Sequence, residues 1–203
     1  SRKLRSIRRQ ANVLAAVLVG ISLLLAGKFV MDRVPMWQEA KRQQLGTMAV
    51  VKLMESLIEL SLERSLVQVT LTLPAPLSEQ HRAMIEQQRR KATAGFAAMR
   101  ETLTLLGTPQ ARAFLSDFDA RIAPLGVLRA DVDRQLRLPG DRRDAAVSAR
   151  WAAEVPAMIS GIANRRTSVR GPGDMVPAAV SLREEVQYLA WAVREYGGRE
   201  RTF

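Results

Sequence analysis

A chain of 203 residues carries 31 Lys and Arg, 20 Asp and Glu, a single histidine and no cysteine, for a formal charge of +11. Those numbers exclude a disulfide framework, thiol or zinc chemistry, and any nucleophile-and-base arrangement needing more than the lone His81, so no catalytic residue, metal ligand or cofactor is assigned. Aromatic residues make up 5% of the chain and no nucleic-acid-binding motif appears, so the basic excess does not point to DNA or RNA.

Residues 1–10 hold five of the cations, Arg2, Lys3, Arg5, Arg8 and Arg9, and removing them leaves 26 basic against 20 acidic residues. Ala11–Val30 follows, with no charge before Lys28, and is long enough to cross the hydrocarbon layer as a helix. This pattern predicts a transmembrane helix over 11–30, a basic tail over 1–10 on the cytoplasmic side, and everything from Met31 outside the cytoplasm. A cleaved secretory signal is the competing reading. The length of the apolar run, and the lack of a clean small-residue cleavage site at Ala26-Gly27-Lys28, favour the uncleaved anchor. Trp37 stands where interfacial belts place tryptophan.

Beyond the anchor the sequence reads as successive helices. The first is expected from about Met36 to Leu73, with Pro35 at its start and Pro74-Ala75-Pro76 at its end. Its stripe is Val50, Leu53, Leu57, Leu60, Arg64, Val67 and Leu71, so one guanidinium stands among six apolar neighbours. Ser78 caps a second helix with Ile85, Ala92, Phe96, Met99, Leu103 and Leu106 on one face, ending at Gly107.

Thr108-Pro109 starts a third helix carrying Phe114, Phe118, Ile122, Leu125, Val132 and Leu136, with a kink expected at Pro124. Asp131 and Asp133 on it read as solvated residues. A fourth helix follows Asp141 with Val147, Trp151, Val155, Met158 and Ile162 inward and a bend at Pro156. After the Arg170-Gly171-Pro172-Gly173-Asp174 loop a fifth begins near Pro177, with Leu182, Val186, Leu189, Val193 and Tyr196 at heptad spacing.

No stretch shows strand alternation, and short connections favour antiparallel neighbours. The expected fold is all-α: the N-terminal transmembrane helix, an antiparallel four-helix bundle over 31–176, and a last helix over 177–203 that begins a second bundle or returns to the membrane. The serine at position 1 and the uncapped last helix suggest a piece of a longer chain.

Arg64 is the most informative residue, because the pattern calls for Leu or Val there. It either pairs with a carboxylate across the bundle, or with Glu63 or Glu59 beside it, or it clamps a ligand. A planar fork of donors suits a carboxylate, nitrate or phosphate. On the fifth helix Arg194, Gly198 and Arg201 share a stripe. Gly197-Gly198 either end that helix or allow a close approach to it.

Leu62-Glu63-Arg64-Ser65 on a long helix after a membrane segment, then Leu-Pro-Ala-Pro-Leu-Ser, then a helix with Arg89 and Arg90, resembles the all-helical periplasmic sensors of bacterial receptors. Trp191-Ala192-Val193-Arg194-Glu195-Tyr196-Gly197-Gly198-Arg199-Glu200-Arg201 looks like the second half of that pattern. The nearest group is the nitrate- and nitrite-sensing domain. The resemblance implies a homodimeric receptor of the bacterial inner membrane, of the chemoreceptor, sensor histidine kinase or diguanylate cyclase type. Its periplasmic domain binds a small anion and signals by helix rearrangement. Carried onto this chain, it implies ligand binding by Arg64, Arg194 and Arg201 with Glu63 and Glu200.

Ser65 stands where the family usually has glycine, and Arg64 continues its apolar stripe whereas Glu200 continues the other, so the two halves are not equivalent. The reading from a different class is a membrane-tethered helical scaffold that binds an envelope protein through exposed residues such as Tyr188 and Trp191.

Overall fold

The computed structural model describes residues 2–169 together with Glu185, Val186, Tyr188, Leu189, Ala190 and Val193, with side chains from Leu18 onward. The chain divides into two compact units, Ser1–Arg42 and Gln43–Phe203. The described elements are all helical: α1 Arg2–Thr72, α2 Glu79–Leu106, α3 Pro109–Leu136 and α4 Ala145–Ala163, with 3₁₀ turns at Gly140–Arg142 and Arg166–Val169.

In the first unit, the expected break between the apolar segment and the following helix is absent: Pro35 lies inside α1. A proline within a helix forfeits one amide donor, but exposed helix can give the freed carbonyl to water, and Pro35 is exposed. From Leu18 to Val30 the apolar side chains are exposed in every direction, Leu24 by 75% and Leu23 by 68%. Among the described residues no helix is long and apolar enough to cross a membrane. The side chains of Ala11–Val17, which open the expected apolar segment, lie outside the described ones.

The second unit is a helical bundle around one core. The α1 stripe is buried as its periodicity predicts, with Leu57, Leu60 and Val67 fully so and Leu71 packed against the core. The stripe beside it is buried too: Ala49, Leu53, Ser56, Leu60, Glu63, Val67 and Thr70. A helix with neighbours on two sides buries a wide arc, and its polar members escaped the apolar pattern.

Local chemistry sets the ends of α2 and α3. Ser78 accepts from the His81 amide, Gly107 takes the left-handed conformation at φ 64° and donates to Leu103, and Thr108 accepts from the Ala111 amide with Pro109 in the first turn. The expected α4 start after Asp141 is corrected: Gly140–Arg142 form a 3₁₀ turn and Asp144 is the cap. Tertiary contact explains it, since the Gly140 amide donates to the Pro74 carbonyl at 2.8 Å. A Cβ at Gly140 would stand 2.9 Å from the Pro74 Cα.

Pro124 and Pro156 both lie inside their helices rather than ending them. The Leu77 amide donates to the Leu136 carbonyl, so the α1–α2 and α3–α4 connections share one end of the bundle, and successive helices run up and down. Arg143 ties the connections together. Its guanidinium donates to the carbonyls of Thr70, Leu71, Leu73, Ala75 and Leu138 at 2.7–3.1 Å, capping a helix that has no basic residue in its own last turn.

Two further contacts position the helices. Gly95 of α2 meets Ser56 of α1 so closely that a Cβ there would stand 2.2 Å from the Ser56 Oγ. Phe96, Phe114 and Phe118 pack as a cluster between α2 and α3, with centroid separations of 5.2 and 6.3 Å.

Most of the expected fifth helix, including Leu182 and Tyr196, lies outside the described residues. Val186, Leu189 and Val193, expected on its packing face, are exposed. Tyr188 packs against the core instead, with the Arg166 guanidinium 3.6 Å from its ring centroid and its hydroxyl donating to Asn164 Oδ1.

Candidate functional site

Glu63 is the centre of the polar interior. Its side chain has no exposure, yet it carries a carboxylate that needs partners in a medium unable to solvate it. Two guanidiniums from different helices supply them. Arg89 of α2 donates from Nε to Oε1 at 2.8 Å, and Arg129 of α3 donates from Nε to Oε1 at 2.9 Å and from Nη2 to Oε2 at 2.5 Å. The Arg129 contact is the bidentate fork that makes guanidinium–carboxylate pairs directional.

Arg89 extends the cluster outward. Its Nη1 donates to Asp133 at 2.8 Å and to Glu86 at 3.2 Å. Burial by itself lowers the pKa of this guanidinium, but the hydrogen bonds and charges of Asp133 and Glu63 outweigh it and raise the value above the ordinary one. Its Nη2 is buried and has no hydrogen-bond partner among the described residues. Asp133, read from the sequence as merely solvated, is therefore half-buried and engaged. Asp131 pairs with Arg150 of α4 at 3.2 Å and with Arg134.

Arg64 lies beside Glu63 on α1 and is buried, as its place on the apolar stripe requires. Its backbone carbonyl accepts the Trp151 indole N–H at 3.2 Å, so α4 is tied to α1 next to the charged cluster. A carbonyl in mid-helix has a second lone pair free for such a bond. Arg194, Glu200 and Arg201 lie outside the described residues. Of the expected site residues the structure describes Glu63 and Arg64, neighbours in sequence on α1.

Arg129 was missed, and Arg89 entered only as part of a resemblance, although the rule that singled out Arg64 finds both. Arg89 continues the α2 stripe Ile85, Ala92, Phe96 and Met99 at four- and three-residue steps. Arg129 continues Phe118, Ile122, Leu125, Val132 and Leu136 on α3 in the same way. A cation on the apolar stripe of each of two consecutive helices, α2 and α3, marks the buried carboxylate that they share.

Chemically the arrangement balances one buried carboxylate with two guanidinium forks, the donor geometry that suits carboxylate, nitrate or phosphate. Among the described residues no group of His, Cys, Asp and Glu is arranged to hold a metal ion. His81 is exposed and meets the Ser78 hydroxyl through Nδ1 at 2.9 Å, a local capping contact. Compared with known proteins, the chain matches no family model, no curated protein and no solved structure.

Proposed function

We propose that this chain is the extracytoplasmic sensor region of a bacterial transmembrane signalling receptor, anchored by residues 11–30 with its basic tail in the cytoplasm. The observation that carries the reading is what one helix, α1, combines. It has a stretch whose apolar side chains are exposed on every side, which lipid accommodates and water does not. Further along is Glu63, a carboxylate shared by guanidiniums of two other helices.

In this reading a small anion, nitrate or nitrite by resemblance, engages Arg64 and competes with Glu63 for its guanidinium partners. The bundle then settles into a second arrangement, and the change reaches the membrane along α1. The homodimer and the roles of Arg194, Glu200 and Arg201 belong to the same proposal.

The test is a thermal-shift titration of the full chain in lipid nanodiscs with nitrate, nitrite and chloride. A ligand that binds only the folded state raises the melting temperature in proportion to ln(1 + [L]/Kd). A saturable shift with one anion, lost in Arg64→Ala, is the expected result; no shift with any of them in a well-folded sample overturns the anion-sensing role.

The exposure of Val186, Leu189 and Val193 favours a second reading, a tethered scaffold presenting an apolar stripe to an envelope protein. A scaffold tolerates Arg64→Leu with no loss of partner binding, whereas a sensor loses its ligand response.

A further inference from the structure

The segment after the apolar stretch has a feature that the sensor reading does not use. Phe29, Arg33, Trp37 and Lys41 follow one another at four-residue steps, so ring and cation alternate along one side of α1. All four are exposed, Phe29 by 61% and Trp37 by 66%. The Arg33 guanidinium lies 4.9 Å from the Phe29 ring centroid and the Lys41 ammonium 5.3 Å from that of Trp37. Each cation is held over a ring within the range of cation–π attraction.

We infer that this stripe is the contact of the chain with phospholipid headgroups at the outer edge of its membrane segment: Phe29 seats at the acyl boundary, Arg33 binds lipid phosphate about 6 Å further out along the helix, and Trp37 and Lys41 follow on the outer side of the headgroup layer. The inference rests on the membrane reading proposed above. Charge complementarity selects the occupant. At about 100° per residue, Asp32 and Glu39 fall well over a right angle round the helix from the middle of the stripe, which leaves its face cationic. Glu39 is paired with Arg42 at 4.0 Å.

Exposed Val30, Val34 and Met36 flank the stripe and suit the same boundary, where an amphipathic surface meets hydrocarbon on one side and headgroups on the other. A second copy is the poorer occupant, because a parallel copy packed on this face sets Arg33 against Arg33 and Lys41 against Lys41. Phosphate, like carboxylate, is an anion that a guanidinium binds through two donors at once.

The absence of cysteine allows a clean test. Leu24→Cys and Val34→Cys, each carrying a nitroxide in the full-length chain, are reconstituted into vesicles of phosphatidylcholine and phosphatidylglycerol. Depth is then read from the accessibility of the label to oxygen and to a water-soluble nickel chelate. The expected result is a label at position 24 in the acyl region and one at position 34 at headgroup level, the latter sinking by about 3 Å, two residues of helix rise, in Arg33→Gln/Lys41→Gln.

A label at 24 in lipid with a label at 34 whose depth ignores the double substitution, or which lies in bulk water, overturns the headgroup assignment alone. A label at 24 in water overturns the membrane reading itself. Far-UV circular dichroism of each variant verifies that the bundle is intact.

Discussion

Arg129 holds both oxygens of the Glu63 carboxylate, Nε to Oε1 at 2.9 Å and Nη2 to Oε2 at 2.5 Å, joining α1 to α3 across the core. A bidentate pair with one partner wholly out of water is costly to assemble and more costly to break, because the survivor keeps its charge and loses its solvation. Glu63→Leu leaves Arg89 and Arg129 facing an apolar side chain and is expected to cost about 3–5 kcal/mol in urea denaturation followed by circular dichroism. Glu63→Leu/Arg89→Met/Arg129→Leu should regain most of that stability, since apolar packing of similar volume replaces the whole cluster. A triple variant as weak as the single one overturns this account.

Gly140 and Gly126 make a matched pair. A methyl group at 140 runs into the backbone of Leu73 and Pro74, which cannot swing away, whereas one at 126 meets nothing within 4 Å. Gly140→Ala is expected to lower stability by about 1–3 kcal/mol. Gly126→Ala, in the middle of α3, is expected to raise it by up to about 1 kcal/mol. Chemical denaturation of the two variants side by side reads the difference.

Arg143 satisfies carbonyls that α1 leaves without partners at its C-terminus. Arg143→Lys supplies one compact ammonium in place of a planar fork, so it should restore little of what Arg143→Ala loses, about 1–3 kcal/mol. Hydrogen exchange should locate the loss, with amides near Thr70, Ala75 and Gly140 exchanging faster while the middle of α2 stays protected.

Asp117 supplies an acid-side prediction. Its hydrogen bond from Arg121, aided by the charges of Arg121 and Arg165, holds its carboxyl below the usual range. A folded-state value below the unfolded one stabilises the fold at pH above the unfolded pKa, and that contribution disappears as pH falls through the folded value. Arg89 has the opposite sign, being raised, so its contribution is complete below the unfolded arginine value and survives mild alkali. Melting temperature should therefore fall on the acid side and hold on the basic side, and Asp117→Asn should make the acid limb shallower.

The helix ends that were legible are those set by adjacent residues: Ser78, Gly107 and Thr108-Pro109 each act within four positions of themselves. The start of α4 was not, because Asp141 is as good a cap as Asp144 until Gly140 is drawn against Pro74 by a contact over sixty positions away in sequence. The charged cluster was legible in part. Arg64 stood out against an apolar pattern and Glu63 entered as its neighbour, but the full burial of Glu63 was not legible, because its stripe also carries Ser56 and Thr70. Arg143 lies in a connection, off every stripe, and its five carbonyls are visible only in three dimensions.

The close meeting of Gly95 and Ser56 restricts how α1 can move against α2. Sliding α1 along α2 by about one turn, roughly 5.4 Å, carries Ser56 off Gly95 and onto side chains of the same face of α2, such as Ala92 or Met99. Such a close-packed crossing acts as a pivot, so displacement of α1 against α2 is expected as tilt about Gly95 and Ser56 and not as a stroke along the helix axis.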